Sequence, residues 1–307
     1  MPGWIEILKE RAPGKVLVSE PFNRHCSFKV GGPADAWFEP RDADALCQAV
    51  RILGGAGIPY IVLGGGTNVL PGDTGFRGAV IRLRVGFDSI VIEEPGGCVI
   101  RAGAGAQLKA LLDFARSEML AGMAYAAGIP GTVGGAIACN AGTGIGDTKG
   151  VLKEIEIMGP DGETRWVAKD AIRFAYRSAA IPSGAVVLSA RFGLKKGDDT
   201  KEAQKVLEKR DATQPRGFPC AGSVFKNPPG DSAGRLIDAA GLKGMRVGGA
   251  EISKVHANFI VNTGGATASE IARLMSMVKG EVKRLFKVNL EPEIWLIGGF
   301  TEGANGF

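Results

Sequence analysis

Residues 60–70 read Tyr60-Ile61-Val62-Leu63-Gly64-Gly65-Gly66-Thr67-Asn68-Val69-Leu70, and the reading of this stretch decides the fold. Its opening is a short, apolar, β-branched run, the pattern of a buried strand. The run stops at three glycines. Glycine has no Cβ to hold a ligand off the backbone, and it accepts positive φ. Successive N–H groups can then turn inward as a nest for an anion, and Thr67 and Asn68 add side-chain donors. Two readings stand at this point. The loop holds the pyrophosphate of a nucleotide cofactor, or it is an ordinary glycine-rich turn after a strand.

The rest of the composition narrows the setting. A chain of 307 residues has room for two or three domains, and 45% apolar residues suit a packed core. The 47 glycines are about twice the usual share. They fall in clusters, which excludes a collagen-like repeat and points to tight turns and ligand-hugging loops. The net charge of +5 is mild and its charges are interspersed, so nucleic acid is not implied. A small positive excess suits a phosphorylated or carboxylated small substrate. Cys26, Cys47, Cys98, Cys139 and Cys220 are far apart, and there are only two histidines. No metal site and no disulfide framework is expected, and the cytoplasm is the expected setting. Met1 to Lys9 carries no secretory pattern, and no apolar run reaches membrane-spanning length.

Outward from the opening strand, the spacing predicts a helix over Trp4–Arg11 and a strand over Ala36–Glu39. A helix capped by Asp42 follows and runs to Leu53. Strands are expected at 79–83, 89–93 and 98–103, then an amphipathic helix over Gln107–Ser117 with Leu108, Leu111, Leu112 and Ala115 inward. Residues 154–158 and 164–167 read as a meander around Pro160-Asp161-Gly162, followed by a strand at 187–191. The charged run from Lys195 to Lys209 reads as a solvated helix or linker at a domain boundary. The last section carries a helix over 233–240, a strand over 256–262, an amphipathic helix over 268–286, and a final strand over 290–298. His25, alone in a polar loop, has a structural role as its first reading and a ligand contact as its second.

A second glycine cluster spans Gly128-Ile129-Pro130-Gly131-Thr132-Val133-Gly134-Gly135 and continues to Asn140. Neither cluster has the GxGxxG or GxxxxGK[ST] spacing, so the standard dinucleotide and P-loop readings fail. Two separate glycine loops still suit one long cofactor gripped from two sides. Gly134-Gly135-Ala136 also suits the start of a helix packed closely on a neighbour.

Several motifs stand in one order: Asn23 through Ala34, Leu63 through Asn68, Gly128 through Gly135, Tyr176-Arg177-Ser178, Ala221-Gly222-Ser223-Val224-Phe225-Lys226-Asn227-Pro228, and Leu290-Glu291-Pro292-Glu293. Together they resemble the UDP-N-acetylenolpyruvoylglucosamine reductase (MurB) family of peptidoglycan synthesis, over about residues 20–300. The short section between Asn227 and His256 resembles the type II branch.

The resemblance implies an α+β fold. An FAD-binding region of the p-cresol methylhydroxylase (PCMH) type in two subdomains, 1–78 and 79–197, is followed by a substrate-binding domain, 198–290. A C-terminal strand, 291–307, returns to the active site. It implies a UDP-N-acetylmuramate dehydrogenase, with noncovalent FAD and NADPH as co-substrate. The enzyme would reduce UDP-N-acetylglucosamine enolpyruvate, act as a monomer, and have no nucleic-acid partner and no membrane insertion.

By the same resemblance, Arg177, Ser223 and Glu293 are catalytic. Arg177 and Glu293 polarise the substrate carboxylate and Ser223 gives the proton. Gly64, Gly65, Gly66, Thr67, Asn68, Gly128, Ile129, Pro130, Gly131, Thr132, Gly134, Gly135 and Asn140 hold the cofactor, and Lys226, Asn227, Tyr176 and Gln214 bind substrate. Thr67 stands where serine is common, and Cys220 where a small hydroxyl residue is common. Two rivals remain at this stage: another FAD oxidase of the same fold, and a nucleotide-binding module without catalysis.

Overall fold

The strand that ends in the triple glycine spans Tyr60–Val62 and pairs in parallel with Phe76–Ile81, Tyr60 opposite Ala79 and Val62 opposite Ile81. Its sheet runs Gly14–Pro21, Pro33–Pro40, Phe76–Ile81, Tyr60–Val62 in that order. The computed structural model describes residues 2–300. Their contacts group into two units, and the first takes residues 1–18, 36–65 and 78–210. The second takes 19–35, 66–77 and the chain from 211 onward. The grouping is discontinuous and differs from contiguous ranges ending at 78, 197 and 290. The chain changes unit inside the triple glycine, between Gly65 and Gly66.

In the first unit the expected helices form as α1 (Gly3–Arg11), α2 (Ala43–Gly55) and α3 (Leu108–Ser117). Asp42 caps α2, its carboxylate accepting the Ala45 N–H at 2.9 Å. The apolar stripe of α3, Leu108, Leu111, Leu112 and Ala115, is buried as its spacing requires. The core is a five-stranded antiparallel sheet of order Thr164–Ala168, Leu152–Met158, Val186–Gly193, Val99–Gly103, Ile90–Ile92. Its register lines up Val167, Ile155, Ala190, Ala102 and Ile90 in one row. The three central residues of that row are fully buried.

One residue along, the row is polar because strand side chains alternate between faces. Arg191 there pairs with Glu93 at 2.6 Å and Glu154 at 2.7 Å, and its guanidinium lies 4.0 Å above the Trp166 ring. Two short helices, α4 (Val133–Ala138) and α5 (Thr148–Val151), sit beside this sheet's loops. The charged run that opens at Lys195 is a two-residue strand followed by α6 (Thr200–Thr213). Ala203 and Val206 enter the first unit's core, so the helix is docked and is not a linker. Asp199 fixes its start by accepting the Gly122 and Ala124 N–H groups at 2.8 Å each.

The second unit is built on α7 (Ala233–Ala239), α8 (Ala268–Phe286) and the three-stranded sheet Arg246–Val247, Ala250–Ile252, Ile260–Asn262. Ile271, Leu274, Met275, Val278 and Val282 of α8 pack with Phe28, Leu70, Phe225 and Leu236. The α8 start carries a capping box: Thr267 accepts the Glu270 N–H, and the Glu270 carboxylate accepts the Thr267 N–H. Asp73 adds a second tie, accepting the Ala268 and Ser269 N–H groups at 2.8 Å each.

Two expected strands are shorter than their sequence pattern. Only Ile260–Asn262 and Trp295–Ile297 are strand. Residues 256–259 turn instead, the Phe259 N–H closing on the His256 carbonyl. Residues 291–293 pair instead with 224–226, through a single bridge between Phe225 and Pro292. Thr267→Ala is expected to lower the unfolding free energy by about 1 kcal/mol in urea titrations, and Thr267→Ser to leave it nearly unchanged.

Candidate functional site

In the first unit the two glycine clusters meet. A Cβ built on Gly64 would lie 2.5 Å from the Thr132 hydroxyl oxygen and 3.7 Å from the Gly135 Cα. Thr132 is buried, and its hydroxyl accepts the Gly135 N–H at 3.4 Å as the cap of α4. A Cβ on Gly135 would meet nothing closer than that hydroxyl, at 3.5 Å. Bare backbone from two loops and one hydroxyl thus share one patch. An anionic group that must come within hydrogen-bond distance of backbone needs a patch of this kind.

Other glycines of this cluster serve the fold. The Gly134 N–H donates to the Ala104 carbonyl at 2.9 Å, and a Cβ there would sit 3.0 Å from the Ala104 Cβ. The Val133 N–H is likewise spent on Ala106, and the Gly131 carbonyl on the Leu108 N–H. Gly128 (φ +72°) and Gly131 (φ +116°) set the turns on either side of the exposed Pro130 and half-buried Ile129.

Arg177 also belongs to the first unit. It is the second residue of a two-residue loop between Phe174–Ala175 and Ser178–Ala179, with Ala175 opposite Ser178. Its φ is +57°, which costs a non-glycine residue of this bulk about 1–2 kcal/mol. Its Nη2 donates to the Gly142 carbonyl at 2.7 Å, and its guanidinium lies 4.9 Å from the Tyr176 ring centroid. Asn140 is buried, and its Nδ2 donates to Asp147 at 3.1 Å and to the Ala175 carbonyl at 3.2 Å.

The second unit holds Ser223, Glu293 and the far half of the glycine loop. Gly66 has φ +65°, and a Cβ on it would fall 2.0 Å from the His25 carbonyl oxygen. No side chain fits there, and the Ser27 N–H closes the contact on the Gly66 carbonyl at 2.9 Å. His25 turns its ring to Glu20 at 2.8 Å, in keeping with its structural reading. Thr67 is half-buried beside Gly66. Asn68 uses its amide to donate to the Glu293 carbonyl at 3.1 Å, and its own carbonyl accepts the Trp295 N–H at 3.0 Å. Val69–Pro71 then pairs in parallel with Trp295–Ile297.

On Glu293's other side, its N–H donates to the Val224 carbonyl at 2.8 Å, and Phe225 bridges to Pro292. The Lys226 N–H donates to the Glu291 carbonyl at 2.9 Å. Ser223 and Glu293 therefore stand on adjacent, paired backbone segments. Lys226 also reaches the Glu291 carboxylate at 3.7 Å. Asn227 accepts the Ala233 N–H at the start of α7 at 3.0 Å, and Gln214 is half-buried just past α6. Burial pushes the pKa of the Cys220 thiol up.

The sequence reading missed Asn258. Its Oδ1 accepts the Phe225 N–H at 3.0 Å, its Nδ2 donates to the Phe225 carbonyl at 2.8 Å, and its carbonyl accepts the Val224 N–H at 2.8 Å. One buried side chain thus stands in for a missing strand beside Ser223. Its N–H donates to Nδ1 of His256 at 3.2 Å. Burial first, then the charge of Lys243, holds His256 below its ordinary pKa, so the ring is neutral and can accept. The available signal was a polar residue inside an otherwise apolar run.

Residues 34–168 match the profile of an FAD binding domain, and residues 214–297 that of the UDP-N-acetylenolpyruvoylglucosamine reductase C-terminal domain. A UDP-N-acetylenolpyruvoylglucosamine reductase of Anaeromyxobacter sp. (strain Fw109-5) is 42% identical over 97% of this chain and 93% of its own length. The one of Pelobacter propionicus is 45% identical over 93% and 96%. Among solved structures, the UDP-N-acetylenolpyruvylglucosamine reductase (MurB) of Thermus caldophilus superposes with a TM-score of 0.79. It is 34% identical and covers 93% of this chain and 99% of its own.

Asn258→Ala would leave the N–H and carbonyl of Phe225 without partners, at about 1–3 kcal/mol for each buried orphan. Chemical denaturation is expected to show a loss of about 2 kcal/mol or more.

Proposed function

This chain belongs to the UDP-N-acetylenolpyruvoylglucosamine reductase family, and we propose that the side chains described above divide that family's reaction among them. The protein is a flavin-dependent oxidoreductase of peptidoglycan precursor synthesis. It reduces UDP-N-acetylglucosamine enolpyruvate to UDP-N-acetylmuramate with NADPH as co-substrate. FAD, when bound, supplies the hydride chemistry between NADPH and the enolpyruvyl double bond.

The residues present fit that cofactor. Gly64 and Gly135 offer side-chain-free backbone around the buried Thr132 hydroxyl, where any Cβ on Gly64 would intrude. Gly65, Gly66, Thr67, Asn68 and the Gly128–Gly135 loop complete the proposed holding set.

The observation that carries the catalytic assignment is the backbone bond from Glu293 N–H to the Val224 carbonyl, next to Ser223. Hydride addition to an enolpyruvyl group leaves negative charge toward its carboxylate and a carbon that needs a proton. Ser223 gives that proton. A serine hydroxyl is a weak acid, so it serves only a strongly basic acceptor and benefits from a nearby cation such as Lys226. Arg177, with fixed planar donors, takes the carboxylate charge. Glu293 shares in polarising it. Tyr176, Lys226, Asn227 and Gln214 contact the rest of the substrate.

The partners are small molecules, and we infer a monomer working in the cytoplasm, where NADPH and nucleotide-linked sugars are made. No helix among the described residues is long and apolar enough to cross a membrane.

Ser223→Ala is expected to leave flavin bleaching by NADPH within about twofold of wild type. Stopped-flow reoxidation by the enolpyruvyl substrate should slow at least about 100-fold. Equal losses in both half-reactions would sink the assignment. Arg177→Lys keeps the charge but not the fork, and turnover should drop about 100-fold or more. Gly64→Ala should purify with much less flavin, read as the ratio of visible to 280 nm absorbance.

A further inference from the structure

We propose that Asn140 is a positioning residue for Arg177, acting with Asp147, and does not hold the cofactor. The inference rests on Arg177 being the group that meets the substrate carboxylate. It begins from a closed circuit of bonds inside the first unit. Arg177 Nη2 donates to the Gly142 carbonyl at 2.7 Å. Gly142 stands directly opposite Asp147 in the small hairpin Gly142–Thr143, Gly146–Asp147. The Asp147 carboxylate accepts Asn140 Nδ2 at 3.1 Å. The same nitrogen donates to the Ala175 carbonyl at 3.2 Å, and Ala175 lies two residues before Arg177. Both ends of the arginine, its guanidinium and the root of its loop, are thus tied to one buried amide and its carboxylate partner.

The side chain of Asn140 is used up in this circuit. An amide nitrogen has two hydrogens, and each has an acceptor here. Its Oδ1 accepts the Lys149 N–H at 3.0 Å. Asp147 is equally committed, its other oxygen capping α5 through the Gly150 N–H at 3.1 Å. No donor remains on Asn140 for a phosphate or an adenine. The backbone adds a reason for the tie. Arg177 sits at φ +57° and Asn140 at +41°, and a strained residue persists where its surroundings over-determine it. Without the Asn140 bonds, the two-residue loop is free to relax and the guanidinium to drift from its setting. A displacement of about 1 Å in a positioned catalytic group can cost about 100-fold in rate.

Asn140→Gly tests this, because glycine tolerates the positive φ and removes only the side-chain bonds. Flavin content and flavin reduction by NADPH should stay within about twofold of wild type, while reoxidation by the enolpyruvyl substrate slows about 10–100-fold. Asp147→Ser retains an α5 cap but cannot reach Asn140, and should show a smaller loss of the same kind. In the double variant Asn140→Gly, Arg177→Lys, the slowing should equal that of Arg177→Lys alone, since both act through one group. Loss of flavin with parallel losses in both half-reactions would make Asn140 a cofactor contact and overturn the proposal. Fully additive losses, or an unaffected Asn140→Gly enzyme, would do so too. A normal Arg177→Lys enzyme would instead remove the premise about Arg177, and that result is read independently.

Discussion

Close approach to bare backbone, which only a glycine permits, is the constraint from which the rest of this structure follows. The triple glycine exhibits it twice. At Gly64 a Cβ would intrude on the Thr132 hydroxyl, and at Gly66 it would overlap the His25 carbonyl. The first approach brings the two glycine loops together across the Thr132 hydroxyl. The second pins Ser27 to the Gly66 carbonyl and lets Asn68 and Val69–Pro71 take up the C-terminal segment. An alanine at Gly66 would force backbone to move, since its neighbour is a carbonyl with no rotamer to change, whereas at Gly64 it would press on the Thr132 side chain.

The catalytic candidates are not on the long elements. Arg177 is on a two-residue loop, and Ser223 and Glu293 lie on segments held by isolated bridges, Ser223 to Phe259 and Phe225 to Pro292. Isolated bridges are supplemented by asparagine side chains: buried Asn258 for the Ser223 segment, half-buried Asn68 for Glu293, and buried Asn140 for the root of the Arg177 loop. An asparagine side chain carries the same donor and acceptor as a peptide group, so it can replace a missing strand where the chain must stay irregular. The helices and the five-stranded sheet supply the rigid frame on which such loops hold their shape.

Much of that frame was legible in the sequence. The α2 cap at Asp42 and the α3 stripe follow from local spacing and form as read, and the α8 stripe does so except for Leu285, which is exposed. The two glycine clusters were expected to grip one long cofactor from two sides, and that Gly64 lies against Thr132 is a finding of the fold. The run from Lys195 to Lys209 reads as solvated or as a linker because charge dominates its composition, and the chain does change unit just past it, after Arg210. Two small apolar residues, Ala203 and Val206, suffice to dock it. The strands at 256–262 and 290–298 were drawn too long, since periodicity does not register where a backbone group is already engaged elsewhere.

The sequence by itself determined the family, the glycines that strip the loops of side chains, and which residues are candidates to give a proton or meet a carboxylate. Tertiary structure alone decided what Asn68, Asn140 and Asn258 do. Helical and strand periods report neighbours a few positions apart. The Asn68 amide finds its acceptor 225 residues away, and the Asn258 amide meets Phe225 across 33. An asparagine is written the same way whether it turns to a ligand or to a distant carbonyl, and only the folded path of the chain fixes which acceptor lies within reach.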